Sequence, residues 1–225
     1  MGQKVNPKSF RIAVIETSPS RWFANRRSYA ALVRDDIRMR KFLEKRVKDS
    51  GLASVAVERS PNAVTVVLSV MKPGLIIGRG GQGAETLKKE LQEQFFPKGT
   101  NIQLQIQEAE HPTLNAALIV QNIIADIEKR IPFRRAMRQA LGRMQRSNVL
   151  GAKILLSGRL DGAEIARREK MITGKLPLHT LRARIDYSRG AAHTIYGAVG
   201  VKVWVYHGEV FSAKGGSASG GNKKE

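Results

Sequence analysis

The run Ile76-Ile77-Gly78-Arg79-Gly80-Gly81-Gln82 decides how the first half of this chain is read. It lies between a β-branched segment, Val64-Thr65-Val66-Val67-Leu68-Ser69-Val70, and a segment of helical character over residues 85–96. Two apolar residues lead into Gly-x-x-Gly, formed by Gly78 and Gly81 with Arg79 and Gly80 between them. So little side chain lets another molecule come close to the backbone. Glycine tolerates that approach and whatever φ it demands, at an entropic cost that an idle loop need not carry. In a basic chain the expected visitor is a phosphate backbone.

Two readings compete for these glycines. Gly78-x-Gly80-x-x-Gly83 matches a dinucleotide-binding fingerprint, which needs a strand before it, a helix after it and an acidic residue about twenty positions on. The next strand-like run, residues 102–107, is followed only by Glu108 and Glu110. Moreover, Pro73-Gly74-Leu75-Ile76-Ile77 reads as a short helical turn, so the glycines join helix to helix. This arrangement resembles the KH domain, whose GXXG loop clamps a single-stranded nucleic-acid backbone.

Working outward, residues 29–48 carry Ala30, Val33, Ile37, Phe42 and Val47 near helical spacing, with Arg34, Arg38 and Arg40 on other sides. Asp49-Ser50-Gly51 ends that helix. Strands are expected at 53–59 and 63–70, joined by the turn sequence Ser60-Pro61-Asn62. After the glycines come a helix to about residue 96, a Pro97-Lys98-Gly99 break and a strand at 102–106. The order helix, strand, strand, helix, helix, strand resembles the bacterial, type II form of the KH fold. Residues 28–110 are assigned to it, with residues 1–27 as an arm around a short strand at 10–15. In that arm Arg21-Trp22-Phe23-Ala24-Asn25-Arg26-Arg27 interleaves rings with guanidinium groups. Stacking on unpaired bases and packing on the following helix both fit it.

Charge separates the chain into blocks. The net charge is +20 over 225 residues. Residues 1–40 hold 9 basic and 3 acidic side chains, residues 129–189 hold 16 and 4, and residues 41–128 hold 10 of each. Such segregation is the electrostatic footprint of a polyanion partner. There is no cysteine, which excludes disulfides and thiolate metal sites. No apolar run reaches the length of a membrane span, so a soluble, cytoplasmic protein is expected.

In the second half, His111-Pro112 marks a boundary. Residues 111–211 are expected to form a second α/β domain with a largely antiparallel sheet, opening with helices at 113–130 and 133–147. The second of these is Phe133-Arg134-Arg135-Ala136-Met137-Arg138-Gln139-Ala140-Leu141-Gly142-Arg143-Met144-Gln145-Arg146. At ~100° per residue its apolar residues gather on one narrow side, while Arg134, Arg135, Arg138 and Arg146 fan over the other. The segment has five arginines and no acid. Solvated helix faces usually mix signs, and a bound phosphate backbone would offset the self-repulsion of this one. Beyond it, a strand is expected at 153–157, a turn at 158–162, and a helix at 163–172 carrying Arg167, Arg168 and Lys170. Clean alternation predicts strands at 181–187 and 199–205, the latter with Lys202, Trp204 and Tyr206 on one face. Residues 212–225 read as a disordered tail on composition.

Catalytic chemistry is not written in this chain. His111, His179, His193 and His207 are far apart, and neither a nucleophile elbow, a Walker loop nor an HExxH occurs. No enzyme activity and no cofactor are expected.

Several ordered blocks carry a more specific resemblance. They are Gly2-Gln3-Lys4-Val5-Asn6-Pro7, the glycine turn, Pro132-Phe133-Arg134-Arg135-Ala136-Met137, Ser157-Gly158-Arg159-Leu160-Asp161-Gly162-Ala163-Glu164-Ile165-Ala166-Arg167, Gly174-Lys175-Leu176-Pro177-Leu178-His179-Thr180-Leu181-Arg182-Ala183, and Tyr196-Gly197-x-x-Gly200-Val201-Lys202-Val203-Trp204. Together they resemble the family of the bacterial small-subunit ribosomal protein number three, the universal ribosomal KH-domain protein of the small-subunit head. The resemblance implies binding to small-subunit rRNA and a place at the opening through which mRNA enters. It also implies help in unwinding structured message. Its expected protein neighbours are small-subunit proteins ten and fourteen in the head, and four and five around the mRNA opening. Arg134, Arg135 and Arg138 match the positions that face mRNA in that family. Gly78, Arg79, Gly80 and Gly81 are the nucleic-acid-binding turn, and Lys4, Lys8, Arg11, Arg159, Arg167 and Arg168 are the cations expected to meet rRNA. A free KH-type RNA chaperone or regulator acting off the ribosome is the alternative.

Overall fold

The computed structural model describes residues 4–60, 63–96 and 101–211. The start of the arm, the Pro61-Asn62 part of the hairpin turn, the 97–99 break and the tail from Ser212 lie outside the described residues.

Two four-stranded sheets organise the chain. In the first, β1 (Ser20–Arg21), β2 (Leu52–Arg59), β3 (Ala63–Val70) and β4 (Asn101–Glu108) lie in that order. Strands β2 and β3 are antiparallel, while β3 and β4 are parallel. A parallel pair needs a crossover, and here it is α3 (Pro73–Ile77) followed by α4 (Gln82–Phe95). Strand β3 alternates strictly, burying Val64, Val66, Leu68 and Val70. Against that row α2 (Arg26–Arg46) packs Met39 and Leu43, and α4 packs Leu87 and Leu91. The type II KH order expected from the sequence is the order found.

The second sheet is antiparallel throughout, in the order β6-β5-β8-β7, from β5 (Gly151–Gly158), β6 (Arg167–Gly174), β7 (Ala183–Thr194) and β8 (Gly197–Glu209). One face is covered by α5 (Ala116–Glu128) and α6 (Phe133–Arg146). Its core joins Ile119, Val120 and Ile123 of α5 to Met137 and Met144 of α6 and the valines of β8. A side-chain bond from Gln121 Nε2 to the Leu52 carbonyl, 2.9 Å, links α5 to the first domain.

Two local expectations are corrected. Residues 10–15 are not a strand. Instead α1 (Pro7–Arg11) forms, because the Asn6 side chain accepts from the Lys8 amide at 2.9 Å and Pro7 is preset for the first helical position. The Asn6-Pro7 pair is a helix-start signal that outweighs the β-branched residues following Phe10. Residues 163–172 are not a helix either. Strand β6 occupies 167–174 and pairs with β5 along its whole length. The helix-forming composition gives way there because a helix would have left the β5 edge unpaired in this domain. Arg167, Arg168 and Lys170 consequently stand on a strand, with successive side chains on opposite faces.

The arm also differs from a simple tail. Helix α1 packs against β7 of the second domain, and β1 then pairs in parallel with β2 of the first. The chain's first described residues thus strap one domain to the other.

Candidate nucleic-acid interface

The glycine turn is built by three left-handed residues. Gly78 ends α3 with φ 69°, Gly80 has φ 60°, and Gly81 precedes α4 with φ 82°. Side chains at these values are strained. A Cβ at Gly80 or Gly81 would meet nothing within 4 Å, so both present open backbone outward. Arg79 is exposed beside them, and Leu75 on α3 is 63% exposed. The turn therefore offers a small-residue floor, one guanidinium and an apolar shoulder.

Gly83 has a different task. A Cβ there would sit 2.4 Å from the Ile76 carbonyl oxygen. It is glycine because α4 crosses α3 at that point. The third glycine of the dinucleotide fingerprint is thereby accounted for by packing, and α3 replaces the strand that fingerprint requires. The nucleotide reading falls on both counts.

Helix α6 presents the second feature. Phe133, Ala136, Met137, Leu141 and Met144 are buried, and Arg134, Arg135, Arg138, Arg143 and Arg146 are exposed. The amphipathic split follows the sequence expectation. Its N-terminus is costly to stability, since Pro132 supplies no side-chain cap and the first turn holds no acid. Arg134 and Arg135 stand instead at the positive end of the helix dipole, where a cation is unfavourable by about 0.3–1 kcal/mol. Arg134 is partly compensated by Glu169 on β6, at 3.3 Å. Arg167 lies 3.8 Å from the same carboxylate, and both guanidinium groups stack near the Phe133 ring, at 5.6 and 5.7 Å. Arg135 and Arg138 form no ion pair among the described residues.

The cations assigned to rRNA scatter more widely than the sequence implied. Arg167 joins Arg134 at the α6–β6 seam, whereas Arg168 faces the opposite side of the sheet. Arg159 donates to the Ala163 carbonyl at 2.9 Å and to the Tyr196 carbonyl at 3.4 Å, yet remains exposed. Lys8 pairs with Asp186 at 2.7 Å, and Lys4 is exposed. Arg11 must be removed from the set, because its side chain is fully buried. Nε donates to the Ala183 carbonyl at 2.7 Å, Nη1 to Pro7 at 2.9 Å, and Nη2 to Thr180 at 2.9 Å and Leu178 at 3.1 Å. Burial pushes this guanidinium below its usual range, and the Glu16 charge opposes that push. A ring of carbonyl oxygens replaces the water it lost.

The aromatic arm resolves mainly into packing. Trp22 Nε1 donates to Asp36 at 3.0 Å and its ring tilts against Tyr29 at 5.6 Å, but Phe23 is 91% exposed. Among the described residues no cluster of His, Cys, Asp and Glu suited to a metal exists, and no helix is long and apolar enough to cross a membrane.

A KH fold with its glycine turn facing outward, joined to an antiparallel domain that exposes an arginine helix, defines a two-domain KH protein. Comparison with known proteins narrows the class. A model of the KH domain matches residues 38–114, and one described as ribosomal protein S3, C-terminal domain, matches residues 123–205. The small ribosomal subunit protein uS3 of Caldicellulosiruptor saccharolyticus is 44% identical over 224 residues, spanning the whole of both chains. That of Shouchella clausii is 46% identical, covering 99% of this chain and all of its own, and that of Pelotomaculum thermopropionicum is 47% identical over 93% and 90%. The chain belongs to the small ribosomal subunit protein uS3 family, whose members are structural proteins of the ribosome and not enzymes.

Proposed function

We propose that this protein is a structural constituent of the cytoplasmic small ribosomal subunit that binds rRNA in the head, touches mRNA at the opening where it enters, and helps unwind structured message. The observation that carries the finer part is the arginine face of α6. Its apolar side is buried, its cationic side is exposed, and its N-terminus places positive charge where a helix least tolerates it. A passing phosphate backbone offsets that self-repulsion and releases its own counterions. Arg135 and Arg138 form the freer part of the rail, while Arg134 is steadied by Glu169.

Side chains that hold one strand by its phosphates favour the open form of a duplex arriving at them. The ribosome's own translocation supplies the drive, so no nucleotide site is needed. The glycine turn at Gly78, Arg79, Gly80 and Gly81 adds a place for close backbone approach. Lys4, Lys8, Arg159, Arg167 and Arg168 serve the rRNA side of the interface. Proteins ten and fourteen in the head, and four and five around the mRNA opening, are the neighbours this placement expects.

Ribosomes carrying Arg134→Ala, Arg135→Ala and Arg138→Ala together test the rail. Translation through a stable hairpin should slow several-fold, with unstructured messages and subunit assembly unaffected. Equal slowing on both messages would defeat the unwinding role.

A further inference from the structure

The second sheet has an outer face that neither α5 nor α6 covers. Strand register places its outward residues in cross-strand rows. One row runs Ile172, Lys153, Trp204, Tyr187 from β6 to β7. The next runs Lys170, Leu155, Lys202, Arg189, and the one beyond holds Arg168 with Ser157, Gly200 and Ala191. Rows two residues apart on a strand are about 7 Å apart. An aromatic row therefore lies beside a cationic row, which lies beside a shallow trough of small residues.

The aromatic row is organised rather than merely exposed. The Tyr187 and Trp204 rings lie 5.2 Å apart with planes tilted by 41°, and the Lys153 ammonium is 5.1 Å from the Trp204 ring. Both aromatic residues are half-buried, which restricts the rings while leaving part of each accessible. Burial, reinforced by Lys4 and Lys170, pushes Lys153 below the usual lysine range.

The cationic row is internally repulsive. Lys202 and Arg189 stand directly opposite each other, a like-charge pairing that weakens a sheet. Among the described residues, none of Lys153, Lys170, Lys202, Arg168 and Arg189 takes part in an ion pair, and none of the outward residues in these rows is a carboxylate. A face made for solubility would mix signs. One made for an apolar partner would not line up cations beside its rings.

We infer that this face is a stacking platform for unpaired RNA, in which a base lies on Trp204 and Tyr187 while its phosphate is held by Lys202, Arg189 and Lys170. Rings on an antiparallel sheet take bases by their π-faces, and each base stacked adds sequence-tolerant affinity. The platform is separate from the α6 rail, which lies on the helix-covered side. It rests on the rRNA-binding part of the function proposed above, and not on the mRNA part.

The chain has two tryptophans, Trp22 and Trp204. A Trp22→Phe variant of the full chain makes Trp204 the sole reporter of its own surroundings. Titration with a twelve-nucleotide oligo-adenosine RNA should quench its fluorescence saturably, while a duplex RNA of the same length leaves it unchanged. Fluorescence anisotropy of end-labelled RNA, recorded in parallel, measures total binding. Trp204→Leu, which keeps an apolar side chain against the Ala183, Ile185 and Tyr206 cluster, should weaken oligo-adenosine binding roughly ten-fold. Lys202→Gln with Arg189→Gln should make log K against log salt shallower by about 1.4, the value for two single-strand phosphate contacts. Single-strand binding that leaves Trp204 emission unmoved would overturn the platform alone, as would equal quenching by duplex or by oligo-glutamate. No binding of RNA at all would overturn the platform and the rRNA reading together.

Discussion

Two glycines three positions apart in sequence show how one residue type serves two ends. Gly80 has φ 60° and nothing near its missing side chain, while Gly83 lies under the Ile76 carbonyl. Asn tolerates the left-handed region, so Gly80→Asn should leave thermal stability nearly unchanged. Gly83→Ala forces α3 and α4 apart and should cost about 1–3 kcal/mol, read as a fall in Tm of several degrees in a thermal melt. Equal losses at both positions would mean that the turn, too, is held by packing. The sequence displayed both glycines in one motif. It did not show which was a contact surface and which a spacer, because that depends on the crossing of two helices.

At the scale of elements, α6 is the one whose role was most legible. Its buried and exposed residues separate cleanly at helical spacing, and no partner strand was needed to see it. Strand β6 was least legible. Its residues suit a helix about as well as a strand, and the deciding fact is hydrogen bonding to β5, a non-local event invisible in the segment itself. The placement of Arg167 and Arg168 on opposite faces follows from that correction, and so does the outer face on which Arg168, Lys170 and Trp204 meet. For α6, Arg135→Glu puts an acid at the third helical position, where the dipole favours it. The free protein should gain about 1 kcal/mol in urea unfolding, and ribosomes carrying the variant should lose hairpin passage. Loss of stability in this variant would remove the argument that the arginine face is kept against the helix's own interest.

At the scale of the whole molecule, each sheet carries its own hydrophobic core, but the arm's path could not be foreseen. Arg11 looked like one more surface cation in a basic block. It is instead a buried guanidinium satisfied by carbonyls of the 177–183 segment, so that α1 docks on the second domain while β1 completes the first sheet. Arg11→Ala would leave those carbonyls without a donor and release the arm. A loss of roughly 3 kcal/mol is expected, with faster trypsin cleavage at Arg21 and Arg26 while the KH core stays protected. Unaltered proteolysis at those sites would show that the strap is not held from α1. The same strap sets an order of events in biosynthesis. Arg11 and the Ala183 carbonyl are separated by 172 positions, which at ~5–20 residues per second is on the order of 10–35 s of synthesis. Through that interval the first turn of helix waits on the nascent chain with its acceptors not yet made, while the KH core behind it is free to fold. Docking of the arm can follow only once the 177–183 segment that carries its acceptors has been made.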